Sequence, residues 1–333
     1  MRAMVLTDIA PIEQSPLVLQ ERPEPDPAPG ELRIRIRCCA VCRTDLHIIE
    51  GELPRHTLPI VPGHQIVGTI DALGPGCSGW QVGQRVGVAW LQHTCGTCAQ
   101  CRSDRENLCE AARFTGYHVD GGYAEFALAP ADFVYDIPPQ FEDTHAAPLL
   151  CAGIIGYRAL KRCALPPGGR LALYGFGSSA HVVLQIARHR GCQVYVVSRT
   201  DKHLELARAL GATWVGSNPA QMPARVDSAI IFAPAGRLVP TALEQLEKGG
   251  TLALAGIYMS AVPALDYEKH LFYEKNVHSV TANTRADARE LLAEAARLPV
   301  RPHVTTYDLA DANRALQDLK ADRISGTGVL LVR

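Results

Sequence analysis

Four cysteines lie within fifteen residues in the run CGTCAQCRSDRENLC. Their spacing, CxxCxxCx7C, allows one short loop to bring four thiolates to the corners of a tetrahedron, the geometry that a structural Zn2+ prefers. Iron–sulfur clusters also take four cysteines, but the bacterial pattern ends in Cys-Pro and the plant pattern opens with four residues between the first pair. Neither pattern matches, so the spacing favours zinc over a cluster, disulfides or coincidence. The candidate ligands are Cys95, Cys98, Cys101 and Cys109.

Three further candidate metal ligands are dispersed along the chain. Cys42 follows an apolar strand-like run, His64 lies in the turn VPGHQIVG, and Cys151 lies in PLLCAGIIGY near an expected domain boundary. Each alone is more typical of a buried structural side chain than of a ligand. Together they supply the two sulfurs and one imidazole of a catalytic zinc whose fourth position stays open. Asp45, three residues after Cys42, is placed to accept a hydrogen bond from the other ring nitrogen of His64.

A glycine motif, GFGSSA, directly follows the strand-like run LALY and opens a helix-like stretch. In a dinucleotide-binding turn the first glycine permits the turn, the second lets the backbone approach the diphosphate, and the third small residue lets helix and strand pack closely. Gly175, Gly177 and Ala180 take these three positions. The motif is weak alone, but together with its βαβ context and the two metal signatures it predicts dinucleotide binding.

The end of the next strand indicates which dinucleotide is bound. An NAD site has Asp or Glu there for the ribose hydroxyls, whereas an NADP site must accommodate a 2′-phosphate. Here Ser198 takes that position and Arg199 follows it. A guanidinium binds a phosphate in bidentate fashion, so the sequence favours NADP(H) over NAD(H). The alternative is that Arg199 is a solvated surface charge and Asp201 serves the ribose of NAD.

The organisation around these residues indicates two domains, because 333 residues exceed the size at which one hydrophobic core keeps growing. The first part is rich in Gly, Pro and short β-type runs. From about residue 150, strands alternate with helices, as in the βαβ units of a parallel sheet. We expect an α/β protein with a mostly β domain formed by residues 1–148 and 285–333, and a doubly wound nucleotide-binding domain formed by residues 149–284.

Charge and composition narrow the class of partner. The chain has 33 basic and 34 acidic residues, which leaves no electrostatic footprint for nucleic acid or an anionic membrane. A small molecule is therefore the expected partner. The N-terminal run lacks the apolar segment of a signal peptide, and no run reaches the ~18 apolar residues of a membrane span. We expect a cytoplasmic protein whose eleven cysteines are thiols and metal ligands rather than disulfides.

The motifs and their order resemble those of zinc-dependent alcohol dehydrogenases of the medium-chain dehydrogenase/reductase family, over nearly the whole chain. The matching segments are CRTDLH, GHQIVG, the four-cysteine loop, GGYAEF, LLCAGI and the glycine motif. The resemblance implies a GroES-like catalytic domain in two segments that encloses a Rossmann domain. It also implies a catalytic and a structural zinc in each chain, and assembly as a homodimer or homotetramer.

The resemblance also implies roles for three residues of the segment CRTDLH. Thr44 matches the hydroxyl residue that bonds the substrate oxygen. His47 matches the position that passes a proton to solvent, and Arg43 matches a position that contacts the cofactor pyrophosphate.

The substrate pocket is less sharply defined by the sequence. Trp90 matches a pocket-lining aromatic position, and Leu53 stands where yeast-like ethanol enzymes carry another bulky Trp. This exchange suggests more room than ethanol needs, so medium-chain or aromatic primary alcohols and aldehydes are the expected substrates. Tyr117 and His118 are further candidates, with ordinary packing as the alternative.

Three positions depart from the family pattern. Gln65 replaces the Glu of GHE, which removes a negative charge beneath the expected zinc. Ile155 replaces a Thr near the nicotinamide, and Thr327 replaces a basic residue for the pyrophosphate. The exchange at Thr327 leaves more of the pyrophosphate contact to Arg43 and the helix amides.

The expected reaction is hydride transfer between a primary alcohol or aldehyde and NAD(P). Two alternatives remain open. A zinc-independent quinone or enoyl reductase of the same fold would keep the glycine motif without needing both metal sets. A non-catalytic zinc or redox sensor would use oxidation of its thiolates to release metal.

Overall fold

The computed structural model describes residues 1–54 and 57–333. Two compact units divide the chain: Met1–Cys151, Ala282–Ala296 and Pro302–Arg333 form the first, and Ala152–Thr281 and Arg297–Arg301 form the second. The segment Arg297–Arg301 therefore leaves the first unit for five residues. It is held in the second unit by Gln185, whose side-chain amide accepts from the main-chain N–H of Arg301 at 2.8 Å and donates to its carbonyl at 3.1 Å.

The first unit consists mainly of strands, whereas in the second unit strands alternate with helices. Within the described residues, the strands are β1 (Arg2–Leu6), β2 (Leu17–Glu21), β3 (Glu31–Ala40), β4 (Ile66–Leu73), β5 (Arg85–Val88), β6 (Leu91–His93), β7 (Arg113–Phe114), β8 (Phe126–Pro130), β9 (Val134–Asp136), β10 (Arg170–Tyr174), β11 (Gln193–Val197), β12 (Trp214–Gly216), β13 (Val226–Ile231), β14 (Leu246–Leu254), β15 (Asn276–Ser279), β16 (Val304–Asp308) and β17 (Thr327–Leu331). The α-helices are α1 (Arg43–Ile49), α2 (Ala99–Arg102), α3 (Asp143–Ala146), α4 (Ala152–Arg162), α5 (Ser178–His189), α6 (Asp201–Ala209), α7 (Leu238–Glu244), α8 (Tyr267–His270), α9 (Arg285–Ala295) and α10 (Ala312–Lys320).

The first unit is built on a seven-stranded sheet with the order β16-β17-β3-β4-β5-β9, in which β8 also pairs with β3. Along β3, Ile34 and Ile36 are buried while Arg35 between them is exposed, the alternation of a strand with one face on the core. β3 and β4 are antiparallel, and their ladder ends with Cys39 opposite Ile66. The residues after β3 therefore lie beside those before β4.

The second unit contains a six-stranded parallel sheet with the order β12-β11-β10-β13-β14-β15. From β10 the chain adds β11 and β12 on one side, and it then adds β13, β14 and β15 on the other side. The boundary between β10 and β13 is therefore the topological switch point of a doubly wound sheet. β10 is buried because it lies in the middle of the sheet, and its residues from Leu171 to Tyr174 have no exposed surface. The predicted fold class, a mostly β domain with a doubly wound parallel sheet, is confirmed.

The helices of both units are short. Within residues 1–54 and 57–333, none is both long enough and apolar enough to cross a membrane.

Candidate active site

Three chain segments bring Cys42, His64 and Cys151 together in the first unit. Cys42 is the N-cap of α1, directly after β3, and His64 immediately precedes the neighbouring β4 region. Cys151 follows a short 3-10 turn at the end of the unit's first segment. One ligand atom from each residue lies within 4.8 Å of the other two. The end of the β3–β4 ladder therefore creates half of this group, and the turn before α4 completes it.

The geometry of this group fits a tetrahedral metal. Two thiolates on one zinc lie about 3.8 Å apart, given a Zn–S distance of about 2.3 Å. The sulfurs of Cys42 and Cys151 are 4.0 Å apart. His64 is fully buried, and its Nε2 atom has no hydrogen-bond partner. A buried polar atom without a partner is costly, and a metal ion bound here would satisfy it.

Asp45 lies behind His64 and is itself fully buried. Its Oδ1 is 3.0 Å from His64 Nδ1, which is an ion-pair distance without the geometry of a hydrogen bond. Its Oδ2 accepts from the main-chain N–H of Cys42 at 2.8 Å and from the hydroxyl of Tyr123 at 2.8 Å. The carboxylate therefore occupies the Nδ1 side of the ring and leaves Nε2 for a metal. The contact of Tyr123 was not foreseen from the sequence, where GGYAEF only served as a family motif.

The pKa values of Cys42, His64 and Cys151 depend on their neighbours within this group. The hydrogen bond from Cys151 lowers the pKa of Cys42 well below its usual range, against the effect of burial. The same hydrogen bond, together with burial, raises the pKa of Cys151. Burial lowers the pKa of His64, but the neighbouring Asp45 carboxylate outweighs it and raises that pKa to about 10. Metal binding to this set must release protons.

The four-cysteine loop forms a second tetrahedral group around α2. The sulfur of Cys95 is 3.9 Å from that of Cys101 and 3.5 Å from that of Cys109, and Cys98 and Cys101 are 3.5 Å apart. These separations match thiolates on one zinc and are far longer than the ~2.05 Å of a disulfide. All eleven cysteines are free. Backbone N–H groups of Thr97 and Cys98 lower the pKa of Cys95 to about 6, which favours its thiolate.

The polar residues of α1 lie next to the first metal group. The Thr44 hydroxyl oxygen is 3.6 Å from the Cys42 sulfur and is almost completely buried. His47, one turn further along, pairs through Nδ1 with the carboxylate of Glu52, which is partly exposed. Arg43 is exposed, and its guanidinium donates to a main-chain carbonyl at the end of α10 at 3.4 Å. The helix therefore places a hydroxyl beside the metal group and a histidine towards the surface.

An aromatic wall, formed by Trp90, Phe114, Tyr117 and His118, extends from His64. Trp90 meets the imidazole of His64 edge to face, with centroids 4.8 Å apart at 68°. Phe114 stacks on Trp90 at 4.9 Å and 14°, and Tyr117 at 5.9 Å and 23°. His118 stacks on Phe114 at 5.5 Å. Sequence reasoning missed Phe114, although the run FTGYH places two aromatic residues and a histidine at helical spacing.

The loop that carries this wall is packed against the backbone before His64. Gly116 has a φ of +73°, and a Cβ there would lie 2.8 Å from the main-chain nitrogen of Gly63. The hydroxyl of Tyr117 donates to the carbonyl of Pro54 at 2.8 Å. Leu53, beside it, is partly buried against the core of the first unit. Close backbone contact therefore fixes the wall relative to the candidate metal ligands.

In the second unit, the glycine motif forms an open turn between β10 and α5. Gly175 has a φ of +87°, and an added Cβ would lie 3.0 Å from the main-chain nitrogen of Ala233. Gly177 precedes α5, and a Cβ there would meet nothing within 4 Å. Ala180 is fully buried in α5. The space above Gly177 and the helix N–H groups suit the diphosphate of a dinucleotide.

Ser198 and Arg199 follow β11, the strand next to β10 in the parallel sheet. The hydroxyl oxygen of Ser198 is nearly buried and lies 3.4 Å from Nδ1 of His203 in α6. Arg199 is exposed. Because β10 and β11 are parallel, these residues and the glycine turn lie at the same edge of the sheet.

The three departures from the family pattern lie in different surroundings. Gln65 is buried; its amide nitrogen donates to the carbonyl of Ala40 at 3.2 Å, and its Oε1 has no hydrogen-bond partner. Ile155 is half-buried in α4. Thr327 is buried at the start of β17, where its main-chain N–H donates to the carbonyl of His303 at 2.9 Å.

Comparison with known proteins places the chain in a family. Residues 28–139 match the alcohol dehydrogenase GroES-like domain, and residues 179–297 match the zinc-binding dehydrogenase domain. A Mycobacterium tuberculosis (strain CDC 1551 / Oshkosh) protein described as a probable alcohol dehydrogenase, AdhA, is 48% identical over 97% of this chain and 94% of its own length. An alcohol dehydrogenase of Geobacillus stearothermophilus is 37% identical over 97% of this chain and 99% of its own.

A solved structure agrees with these relatives. The cobalt- and zinc-bound thermostable alcohol dehydrogenase of Pyrobaculum aerophilum superposes with a TM-score of 0.89 at 27% identity, over 99% of both chains. The chain therefore belongs to the alcohol dehydrogenases of the medium-chain dehydrogenase/reductase family. It is an oxidoreductase that acts on CH–OH groups, with a GroES-like domain and a Rossmann-like parallel sheet. The resemblance drawn from the motifs is confirmed.

Proposed function

We propose that this alcohol dehydrogenase is zinc-dependent and transfers hydride between a primary alcohol or aldehyde and NAD(P), with NADP(H) favoured. The observation that carries the proposal is the set of Cys42, His64 and Cys151, whose ligand atoms lie within 4.8 Å of one another. The unpartnered Nε2 of His64 supports a bound cation rather than a packed histidine.

Two zinc ions per chain fit the two groups of ligands. Cys42, His64 and Cys151 would hold the catalytic ion, because three protein ligands leave one position open. When bound, zinc supplies a Lewis acid that polarises the oxygen of the substrate. The four-cysteine loop, with all four positions filled by protein, would hold the structural ion. The ligands of this second ion are Cys95, Cys98, Cys101 and Cys109.

The residues of α1 move the proton that accompanies hydride transfer. Thr44, nearly buried beside Cys42, orients the substrate hydroxyl and takes its proton into a hydrogen bond. His47, whose Nδ1 pairs with the carboxylate of Glu52 at the surface, passes the proton towards solvent. Burial of Thr44 and Asp45 keeps bulk water from this place. The contact of Arg43 with the cofactor pyrophosphate stays a prediction.

The choice of NADP(H) rests on the residues after β11. The cofactor supplies the nicotinamide that exchanges hydride with the substrate carbon. Gly175, Gly177 and Ala180 form the turn for its diphosphate, and Ser198 replaces the carboxylate that would repel a 2′-phosphate. Arg199 is exposed at this edge and can bind that phosphate.

The aromatic wall supports an extended or aromatic substrate. Trp90 touches the imidazole of His64, and Phe114 and Tyr117 continue the stack away from it. A planar ring attached to the reacting carbon can stack on these faces, which stabilises it beyond simple burial. Leu53 leaves room beside the wall. We therefore assign medium-chain or aromatic primary alcohols and aldehydes as the substrate class.

Metal analysis and turnover of purified protein test the reaction. We expect about two zinc ions per chain, and NADPH-dependent reduction within a panel of aliphatic and aromatic aldehydes. Cys42→Ala should remove one zinc and nearly all turnover. Cys38→Ala, which changes a buried thiol outside both groups, is the matched control and should keep both. Metal-free protein that reduces quinones or enoyl compounds would support a zinc-independent reductase, and zinc-loaded protein without turnover would support a sensor.

The cofactor preference has its own test. Arg199→Ala should raise the KM for NADPH by about tenfold or more, the value of one charge-assisted hydrogen bond, and leave the KM for NADH unchanged. Arg208→Ala, at an exposed arginine of α6, the helix that follows Arg199, is the control. An unchanged KM for NADPH in Arg199→Ala would refute the assigned role.

Assembly and location complete the proposal. We assign a homodimer or homotetramer, as the family resemblance implies. Eleven free thiols suit the reducing cytoplasm, where they persist without forming disulfides.

A further inference from the structure

A tyrosine lies buried behind the candidate catalytic zinc ligands. The hydroxyl of Tyr123 donates to Asp45 Oδ2 at 2.8 Å, and neither side chain has exposed surface. The other carboxylate oxygen of Asp45 faces His64 Nδ1 at 3.0 Å. Only the Asp45 side chain therefore links Tyr123 to the imidazole of His64. The sequence motifs assign Tyr123 no role in the reaction.

We propose that Tyr123 is a positioning residue for the catalytic zinc, because its hydroxyl holds the Asp45 carboxylate in the orientation that keeps His64 Nε2 available as a ligand. This inference rests on the proposed function, since it concerns the zinc bound by Cys42, His64 and Cys151. Tyr123 touches neither substrate nor metal and acts only through Asp45.

Two donors are needed to hold the Asp45 carboxylate. The main-chain N–H of Cys42 binds Oδ2 at 2.8 Å and ties the carboxylate to the start of α1. One donor leaves rotation about the bond to the carboxylate largely free, because this torsion has a broad energy profile. The hydroxyl of Tyr123 supplies a second donor to the same oxygen. With Oδ2 held twice, Oδ1 stays on the Nδ1 side of His64.

Tyr123 is itself fixed by the segment that carries His64. Gly63 has a φ of +95°, and a Cβ at this position would overlap the Tyr123 ring. The main-chain N–H of Tyr123 donates to the carbonyl of Pro62 at 3.0 Å, and its carbonyl accepts from Met4 at 2.8 Å. The same tyrosine therefore packs under the backbone before His64 and binds the carboxylate beside the ring of His64. Packing of the ring sets the position of Tyr123, and the hydroxyl of Tyr123 acts on Asp45.

Tyr123→Phe separates these two contributions, because it keeps the ring against Gly63 and removes only the hydroxyl. Chelator competition should show a dissociation constant for the catalytic zinc raised by about tenfold, as for lost partners of metal-bound histidines. The affinity of the four-cysteine loop should stay unchanged. In protein with Co2+ at the catalytic site, the visible absorption bands should shift. Tyr135→Phe is the matched control, because Tyr135 is buried in the same unit and its hydroxyl has no hydrogen-bond partner.

The outcomes separate this inference from the proposed function. If wild-type protein holds no zinc at Cys42, His64 and Cys151, the proposed function fails. If wild-type protein holds that zinc and Tyr123→Phe shows the same affinity and the same cobalt spectrum, the positioning role is overturned and the proposed function stands. If Tyr123→Phe does not fold, Asp45→Asn decides, because Tyr123 acts only through Asp45. Wild-type zinc affinity in Asp45→Asn would overturn the inference, because a tyrosine that acts only through Asp45 could then have no effect on the zinc.

Discussion

Arg285 binds Glu106 through its main chain and its guanidinium at once. Its main-chain N–H donates to Oε1 at 2.7 Å, Nε lies 3.0 Å from Oε2, and Nη2 donates to Oε2 at 2.7 Å. Glu106 lies inside the four-cysteine loop, between Cys101 and Cys109, while Arg285 is the first residue of α9. The guanidinium also lies over the ring of Phe133, 4.6 Å from its centroid. This pair fastens the loop to a helix of the same unit.

Replacing the arginine should loosen the loop even when the charge is kept. Arg285→Lys retains one positive charge but loses the planar two-point contact with Glu106 and the stacking on Phe133. We expect the free energy of unfolding to fall by about 1–3 kcal/mol, as for hydrogen bonds to a charged group. Urea unfolding measures it. Arg37→Lys is the control, because Arg37 is exposed and its pair with Asp143 is 3.3 Å long. Equal losses in both variants would contradict the special role of Arg285.

The same pair makes part of the stability depend on pH. Burial raises the pKa of Glu106, but the Arg285 guanidinium outweighs it and holds that pKa below its ordinary value of 4.5. Because the folded pKa is the lower one, the contribution of Glu106 is complete above pH 4.5 and is lost as the pH falls through the folded pKa. The difference in unfolding free energy between wild type and Glu106→Gln should therefore narrow below that pH. A difference that stays constant across this pH range would argue against the assignment.

Much of the site was predictable because local spacing and strand pairing suffice to assemble it. Cys42 and His64 each adjoin a strand that the sequence marks clearly, and pairing of β3 with β4 brings them together. The hydrogen bond from Tyr123 to Asp45 was not predictable, because it depends on how a loop packs on Gly63. Periodicity in one segment carries no information about such contacts.

Long-range polar pairs show the same limit. Arg285 and Glu106 are 179 residues apart, and neither lies in a motif that names its partner. The aromatic wall is an intermediate case, since Trp90 was expected in the pocket while Phe114 joins it only through stacking on Trp90. Residues that carry the chemistry could be predicted from their types and spacing. Contacts that hold these residues in place depend on tertiary packing and could not be predicted.

Removing one ring of the aromatic wall should weaken the binding of aromatic substrates selectively. Phe114→Ala removes the ring that stacks on Trp90 at 4.9 Å and should raise the KM for an aromatic aldehyde by about 3- to 10-fold, given about 0.5–1.5 kcal/mol for an aromatic pair. The KM for a short aliphatic aldehyde should change little. Steady-state kinetics with both substrates measures the split. Phe141→Ala, at a buried phenylalanine outside the wall, is the control for general loosening. A uniform change for both aldehydes would remove the wall from substrate binding.

We predict that replacing Gln65 with the glutamate of the family pattern lowers the stability of this protein. The amide nitrogen of Gln65 donates to the carbonyl of Ala40 at 3.2 Å in a fully buried place. An ionised carboxylate there would place a second acceptor against that carbonyl where the amide now donates. Gln65→Glu should therefore lower the free energy of unfolding by about 1–3 kcal/mol at neutral pH. Part of the loss should return at acidic pH, because a protonated carboxyl can donate to Ala40 as the amide does. Gln65→Met, which removes the donor without adding charge, is the comparison, and it should show no such recovery. Wild-type stability of Gln65→Glu at neutral pH would show that the amide contact with Ala40 contributes nothing.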